Sequence, residues 1–251
     1  MGPAAGRHTL SVKSTPPAVE GLLCDVDGNL FPSEGPAFEV STAVINEFLS
    51  ERGIEATVGV DEMREAALGR SFRHTIDTLA SRFGVALSGT ERERWVRIEQ
   101  TAVTGCLVAV LEPDPAVLAP LSRLSEKFEL AAVSSSATER IAACLEVTGL
   151  AAIFPAGRRF SAEDSLPQPM SKPDPAVYRL ACQLTAMEPA AAVAVEDSVA
   201  GALSATGAGI TTIGNLQFVP GAERDDRRAA LLSAGVAAVV ESWEQLELLL
   251  F

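Results

Sequence analysis

With 251 residues, 47% of them apolar, the chain can bury a full core and is not a disordered polymer. Its formal net charge of −13 argues against nucleic acid or an anionic membrane as partner. No apolar run reaches the roughly 18 residues needed to cross a bilayer.

Residues 1–19, "MGPAAGRHTLSVKSTPPAV", are small, polar and Pro-rich, and lack the apolar stretch of about 7–15 residues that a secretory signal requires. They read as a loose tail. "GLLCDV" follows, a short apolar run typical of a strand buried on both faces of a parallel sheet. It ends in Asp25 and Asp27, two carboxylates that repel each other and cost free energy to desolvate. The pattern then changes. "PAFEVSTAVINEFLSERG", "VDEMREAALG", "SFRHTIDTLASRFG" and "TERERWVRIEQTAVTGCLVAVL" carry apolar residues at helical spacings, and "LEPDP" punctuates the exit.

Beyond it, strands and helices alternate. "LAAVSSS", "AAVAVED", "GITTIGN" and "GVAAVVES" read as strands. "ATERIAACLEVTG", with Ile141, Leu145 and Val147, reads as a helix, as do "DPAVYRLACQLTAM", with Val177, Leu180 and Leu184, and "SVAGALSATGAG". The Pro-rich "SAEDSLPQPMSKPDP" reads as an exposed loop that delivers Lys172 and starts a helix at its prolines. This order predicts an α/β protein: a Rossmann-like, mostly parallel sheet core from residues 20–35 and 113–251, with an all-helical cap at 36–112. Ligands bind such sheets outside the carboxyl ends of the strands. Asp25, Asp27, Ser134, Glu196 and Asp197 all fall at those ends.

Cys24, Cys106, Cys144 and Cys182 are far apart, lie in apolar patterns and lack CxxC spacing, which predicts reduced thiols in a cytoplasmic protein. Several chemistries fail on spacing. There is no Gly-Lys pair for a phosphate loop, no GxGxxG and no GxSxG. Two histidines, one in the tail, leave little material for zinc or Ser-His-Asp hydrolysis. The strand-end set of acids, a hydroxyl and Lys172 suits a hard cation such as Mg²⁺, which prefers oxygen ligands. Cation and lysine together would make the site locally positive in an acidic protein, able to hold a phosphate. A carboxylate set against phosphorus can act as nucleophile, and its neighbour can exchange a proton with the leaving group.

"DVDGNL", "AVSSSA", "SKPDPAVY" and "VEDSVAGALSATGAG" resemble, in order, the four motifs of the haloacid dehalogenase superfamily, in its β-phosphoglucomutase and phosphoglycolate-phosphatase-like branch. The stretch between Asp25 and Ser134 leaves room for the helical cap that this branch inserts. The resemblance implies a Mg²⁺-dependent phosphatase of a small phosphorylated metabolite, a sugar phosphate or phosphoglycolate-like molecule, working as a monomer or weak dimer. Asp25 would be the phosphate-accepting nucleophile. Asp27 would be the general acid/base and would meet Mg²⁺ through its carbonyl. Ser134 and Lys172 would bind the phosphoryl group, and Glu196 and Asp197 would complete the metal site. Gly28, Asn29 and Ser135 would add substrate contacts. Most members carry Thr or Val where this chain has Asn29, whose amide can still donate a hydrogen bond. Dehalogenases lack the second Asp, so Asp27 favours phosphate chemistry. A sugar-phosphate mutase would use the same motifs, and an inactive scaffold and a phospho-receiver are further readings.

One helix carries an expectation about selectivity. Phe72, Ile76, Leu79 and Phe83 should bury one face, while Arg70, Arg73, His74 and Asp77 share the other. That polar face would meet either solvent or a polyhydroxylated or doubly anionic substrate.

Overall fold

Six parallel strands form one sheet: β1 (Gly21–Cys24), β2 (Glu129–Ser134), β3 (Arg159–Ser161), β4 (Ala192–Glu196), β5 (Thr211–Asn215) and β6 (Ala238–Val240), in the order β3-β2-β1-β4-β5-β6. The computed structural model describes residues 19–67 and 70–251, so the expected tail lies outside the described residues but for Val19. The order is that of a doubly wound α/β sheet, with the first strand at its centre.

The apolar runs are continuous because successive residues of each strand feed opposite faces, and both faces are covered. Leu22 and Cys24 of β1, with Val193 and Val195 of β4, point into one apolar cluster. Helices α5 (Pro115–Ser125), α6 (Thr138–Val147) and α10 (Trp243–Leu250) cover it with Leu121, Leu124, Leu145 and Trp243. Leu23, Ala131, Val133 and Ala194 point the other way, against α7 (Ala176–Thr185) and α8 (Val199–Gly207). The sheet-facing side of α7 is Val177, Tyr178, Ala181 and Cys182; Leu184, part of the expected apolar pattern, is 64% exposed. Helix α9 (Arg224–Ser233) packs Leu231 beside β5 and β6.

Between β1 and β2 run α1 (Glu34–Glu51), α2 (Val60–Ala67), α3 (Phe72–Arg82) and α4 (Gly89–Val110). They share an apolar cluster of their own, centred on Ile45, Phe48, Ile76, Leu79 and Trp95, with Phe48 and Trp95 edge to face at 5.6 Å. Local signals start these helices. The Ser88 hydroxyl accepts from Glu91 N while the Glu91 carboxylate accepts from Ser88 N, which caps α4 at both groups. Helix α4 then runs far enough for Val103 and Leu107 to join the sheet's cluster. The exit motif is a capped start as well: Asp114 accepts from Ala116 N at 2.8 Å, with Pro115 opening α5.

Two expectations need correcting. The Pro-rich loop is not exposed throughout, because Ser161, Glu163 and Lys172 are buried. It also begins inside β3, a three-residue strand that its sequence does not announce. Among the thiols, Cys24, Cys144 and Cys182 are buried and Cys106 is half-buried, and all four are free. Among the described residues no single helix is long and apolar enough to cross a membrane.

Candidate active site

The chain leaves β1 at Asp25, whose N–H donates to Val195 O and so continues the ladder one residue past the strand. Gly28, at φ +76°, then turns the loop back on itself. A Cβ there would lie 2.5 Å from Asp197 Oδ2, so only glycine lets this turn rest against the second acidic strand end. On the neighbouring strand, Glu196 ends β4, and the Ser198 hydroxyl accepts from Gly201 N to start α8. Gly201 is required too: a Cβ at that position would sit 1.8 Å from Glu196 Oε2.

These turns bring Asp25, Glu196 and Asp197 together, with their carboxylate oxygens within 4.8 Å of one another and all three residues buried. Lys172 reaches the same point from its loop. Its ammonium donates to Asp25 Oδ1, to Val133 O at 3.0 Å and to Glu196 Oε1 at 2.7 Å, which uses all three protons. The Tyr178 hydroxyl donates to the same Glu196 oxygen at 2.5 Å. Burial pushes the Asp25 carboxyl well above the usual carboxylate range, helped by Glu196 and opposed by Lys172. Burial also raises Asp197, with Glu34 and Asp25 adding to it. For Lys172, burial favours the neutral amine, yet Asp25 and Glu196 outweigh it and hold the group above the ordinary lysine range.

Whether these residues suit a divalent cation can be tested on their own atoms. Glu196 Oε2 is buried with no hydrogen-bond partner. An orphaned oxygen beside two carboxylates that burial and repulsion drive toward protonation is a donor set that a dication would stabilise. The residues fit, and the acidic cluster could hold a metal ion.

Asp27 lies on the open side of the cluster. Its Oδ1 accepts from Ser33 Oγ at 3.0 Å, and its Oδ2 accepts from Ser134 Oγ at 3.0 Å and Ser136 Oγ at 2.9 Å. Three hydroxyls from two parts of the chain thus fix the carboxylate. Ser134 Oγ in turn accepts from Ser136 N. Asn29, expected at the substrate, points the other way. It is fully buried; its amide donates to Asp25 O and Val195 O, and its oxygen accepts from Asn215 Nδ2. Trp243 Nε1 of α10 donates to Asn29 O. The amide clamps the carboxyl ends of β1, β4 and β5 together. Arg227 supports Asp197 from outside, donating to its carbonyl at 2.8 Å.

A cavity of about 100 Å³ opens in front of these strand ends, roofed by α1–α4. On this measure a water needs roughly 10–15 Å³, so the space accepts a small molecule. Asp25, Asp27, Ser134, Ser135 and Asp197 line its floor. Arg70 and Arg73 line it from α3 and the residues just before, but the expected polar face is divided. His74 is engaged by Arg70, Asp77 accepts from Arg92 Nε at 2.6 Å, and neither lines the cavity. Arg73 is held by Glu93 and by Glu163, the latter at 2.5 Å. Across the cavity, Arg140 of α6 donates to Glu99 Oε2 at 2.6 Å, and Ser41 donates to Glu99 Oε1 at 2.7 Å. Glu34, half-buried at the rim, is pushed up to about 7, first by burial. Ser33, Ser136, Tyr178, Arg227, Glu99, Arg140 and Glu163 escaped the reading of the sequence. Ser136 and Tyr178 stood within quoted motifs and Ser33 close to one, the signal that could have drawn attention to them.

The family model of haloacid dehalogenase-like hydrolases matches residues 19–209. No curated protein matches the chain. Among solved structures, it is similar to a HAD family hydrolase from Deinococcus radiodurans with bound phosphate and sodium, at 25% identity and a TM-score of 0.62 over 91% of this chain and 93% of that one. CbbY from Rhodobacter sphaeroides, in complex with xylulose-1,5-bisphosphate, is 22% identical with a TM-score of 0.71, over 91% and 96%. A predicted phosphoglycolate phosphatase from Haemophilus somnus is 17% identical with a TM-score of 0.69, over 94% and 99%.

Proposed function

Since the chain belongs to the haloacid dehalogenase-like hydrolases, we propose that it is a Mg²⁺-dependent phosphatase of a small phosphorylated metabolite, acting through an aspartyl-phosphate on Asp25. One observation carries this reading: three buried carboxylates and a buried lysine converge, and two of them, Asp25 and Asp197, line a cavity sized for a small molecule. The Deinococcus relative's bound phosphate supports the ligand class.

Asp25 Oδ attacks phosphorus, the bond to the ester oxygen breaks, and the departing alkoxide takes a proton from the Asp27 carboxyl. Water then attacks the same phosphorus, Asp27 accepts its proton, and the acyl-phosphate bond breaks to free phosphate and restore Asp25. Lys172 and Ser134 bind the oxygens of the transferring group. Asp25, Asp197, Glu196 and the Asp27 carbonyl would hold Mg²⁺, which when bound supplies positive charge against the phosphoryl oxygens. Helices α1–α4 act as the cap that excludes bulk water during transfer. The test is phosphate release from a panel of phosphorylated metabolites, expected with Mg²⁺, lost in excess chelator and restored by Mg²⁺ better than by Ca²⁺. The larger ion takes more ligands at looser distances. Full activity in chelator would sink the metal-dependent reading.

A further inference from the structure

The roof and walls of the cavity carry three arginines and three acids besides those of its floor, and how they are paired limits what the non-phosphate end of a substrate can be. Arg70, Arg73 and Arg140 line the space together with Glu99 and Glu163, and Glu34 lines it beside the Gly28 turn and Asp197. Arg140, with its side chain 11% exposed, is committed to Glu99, whose other oxygen already accepts from Ser41. Arg73 lies between Glu163 and Glu93, so two acids answer one cation. Arg70 is exposed at the rim, in contact with His74, where water screens its charge. Among the described residues, no buried arginine that lines the cavity is left unpaired to receive a second anion.

Resting on the phosphatase reading, we propose that the remainder of the substrate is an uncharged polyol, and that the site rejects esters bearing a carboxylate or a second phosphate. A second anion would enter beside Glu34, Glu99 and Glu163, and could gain a buried cation only by displacing Glu99 from Arg140 or an acid from Arg73. The lysine and the metal ligands give no help, because they serve the phosphoryl group being transferred. The chain's net charge of −13 opposes a more highly charged ligand from outside as well. Hydroxyl groups meet no such barrier, since each can donate to a carboxylate and accept from a guanidinium without breaking an ion pair. Phe38, Met63 and Phe72 line the same space and offer an apolar surface to the C–H face of a sugar or polyol.

Matched pairs of esters test this. Glycerol 3-phosphate against 3-phosphoglycerate exchanges a hydroxymethyl for a carboxylate, and glucose 6-phosphate against glucose 1,6-bisphosphate adds a phosphate. A broader panel of each kind and a generic aryl phosphate are assayed beside them. The best neutral ester is expected to exceed the best anionic one at least tenfold in kcat/KM. The double variant Glu93→Gln with Glu163→Gln frees the charge of Arg73, and should shift that ratio toward the anionic esters at least threefold. A ratio below ten, or one unmoved by the double variant, overturns the assignment while leaving the phosphatase reading intact. Absence of release from every ester, the aryl phosphate included, would instead overturn the phosphatase reading and this assignment with it.

Discussion

Lys172 and Arg73 are each caught between two carboxylates, in surroundings that differ sharply. The Lys172 side chain is 1% exposed, and its partners Asp25 and Glu196 are 9% and 0% exposed. For Arg73 the figure is 19%, with Glu93 at 47% and Glu163 at 6%. At the strand ends, removing one charge leaves the others in a medium that cannot solvate them. At the roof, water can take up Glu93 when its partner is lost, though buried Glu163 cannot be solvated in the same way. The strand-end groups are therefore fixed by their own electrostatics, whereas Arg73 has one partner that water can replace and one that it cannot.

Four substitutions probe that contrast, taken from the largest effect to the smallest. Asp25→Asn should abolish phosphate release while the fold survives, because burial and Glu196 already drive this carboxyl toward its neutral form. Release by the pure variant above a few per cent of the parent rate would dismiss the covalent step. Lys172→Ala should leave Asp25 and Glu196 facing each other without a counter-charge, at a cost of about 3–5 kcal/mol read from the urea midpoint. A loss under about 1 kcal/mol would show that the two regions do not differ as described. Asp27→Asn keeps the backbone carbonyl and the contacts of its remaining oxygen, and should slow turnover by roughly 10²–10⁴. If the rate drops less than tenfold, the proton must come from another group. Arg73→Ala should cost less, about 1–3 kcal/mol, since it leaves buried Glu163 without its partner while water takes up Glu93. On the best neutral metabolite its effect on kcat/KM should exceed that on an aryl phosphate, which does not reach the roof. Equal effects on both esters would assign Arg73 a purely structural task.

The strands of the sheet's middle were legible because each is apolar at successive positions, and a strand covered on both faces has no alternative pattern. β3 was not legible: three residues beginning with Arg159 carry no periodicity, and only pairing with Ala132–Ser134 makes them a strand. Helix α9 opens with "RDDRR", polar on every side, and buries Leu231 alone. Among site residues, the acids announced themselves by position at strand ends. Asn29 misled because a polar residue beside two catalytic-looking acids reads as a ligand contact. Its destination depends on Asn215 and Trp243, both far along the chain. The pairs Arg73–Glu163 and Arg140–Glu99 were hidden for the same reason, since no local pattern records which distant acid an arginine will meet.

The place of β1 at the centre of the sheet bears on how the protein comes into being on a ribosome. The strand that emerges first has both of its neighbours, β2 and β4, still to be made, and Asp25 has none of the partners that fix it until Lys172 and Glu196 appear. At roughly 5–20 residues per second, the stretch from Asp25 to Asp197 takes on the order of ten to thirty seconds to synthesise. Until β2 is made "GLLC" has two free edges, and until β4 is made it keeps one, the kind of surface that chaperones cover and that neighbouring nascent chains can pair with. The helices α1–α4, whose apolar cluster is contributed by residues between Val44 and Trp95, can gather during the same interval. Translation thus completes the roof of the cavity before its floor.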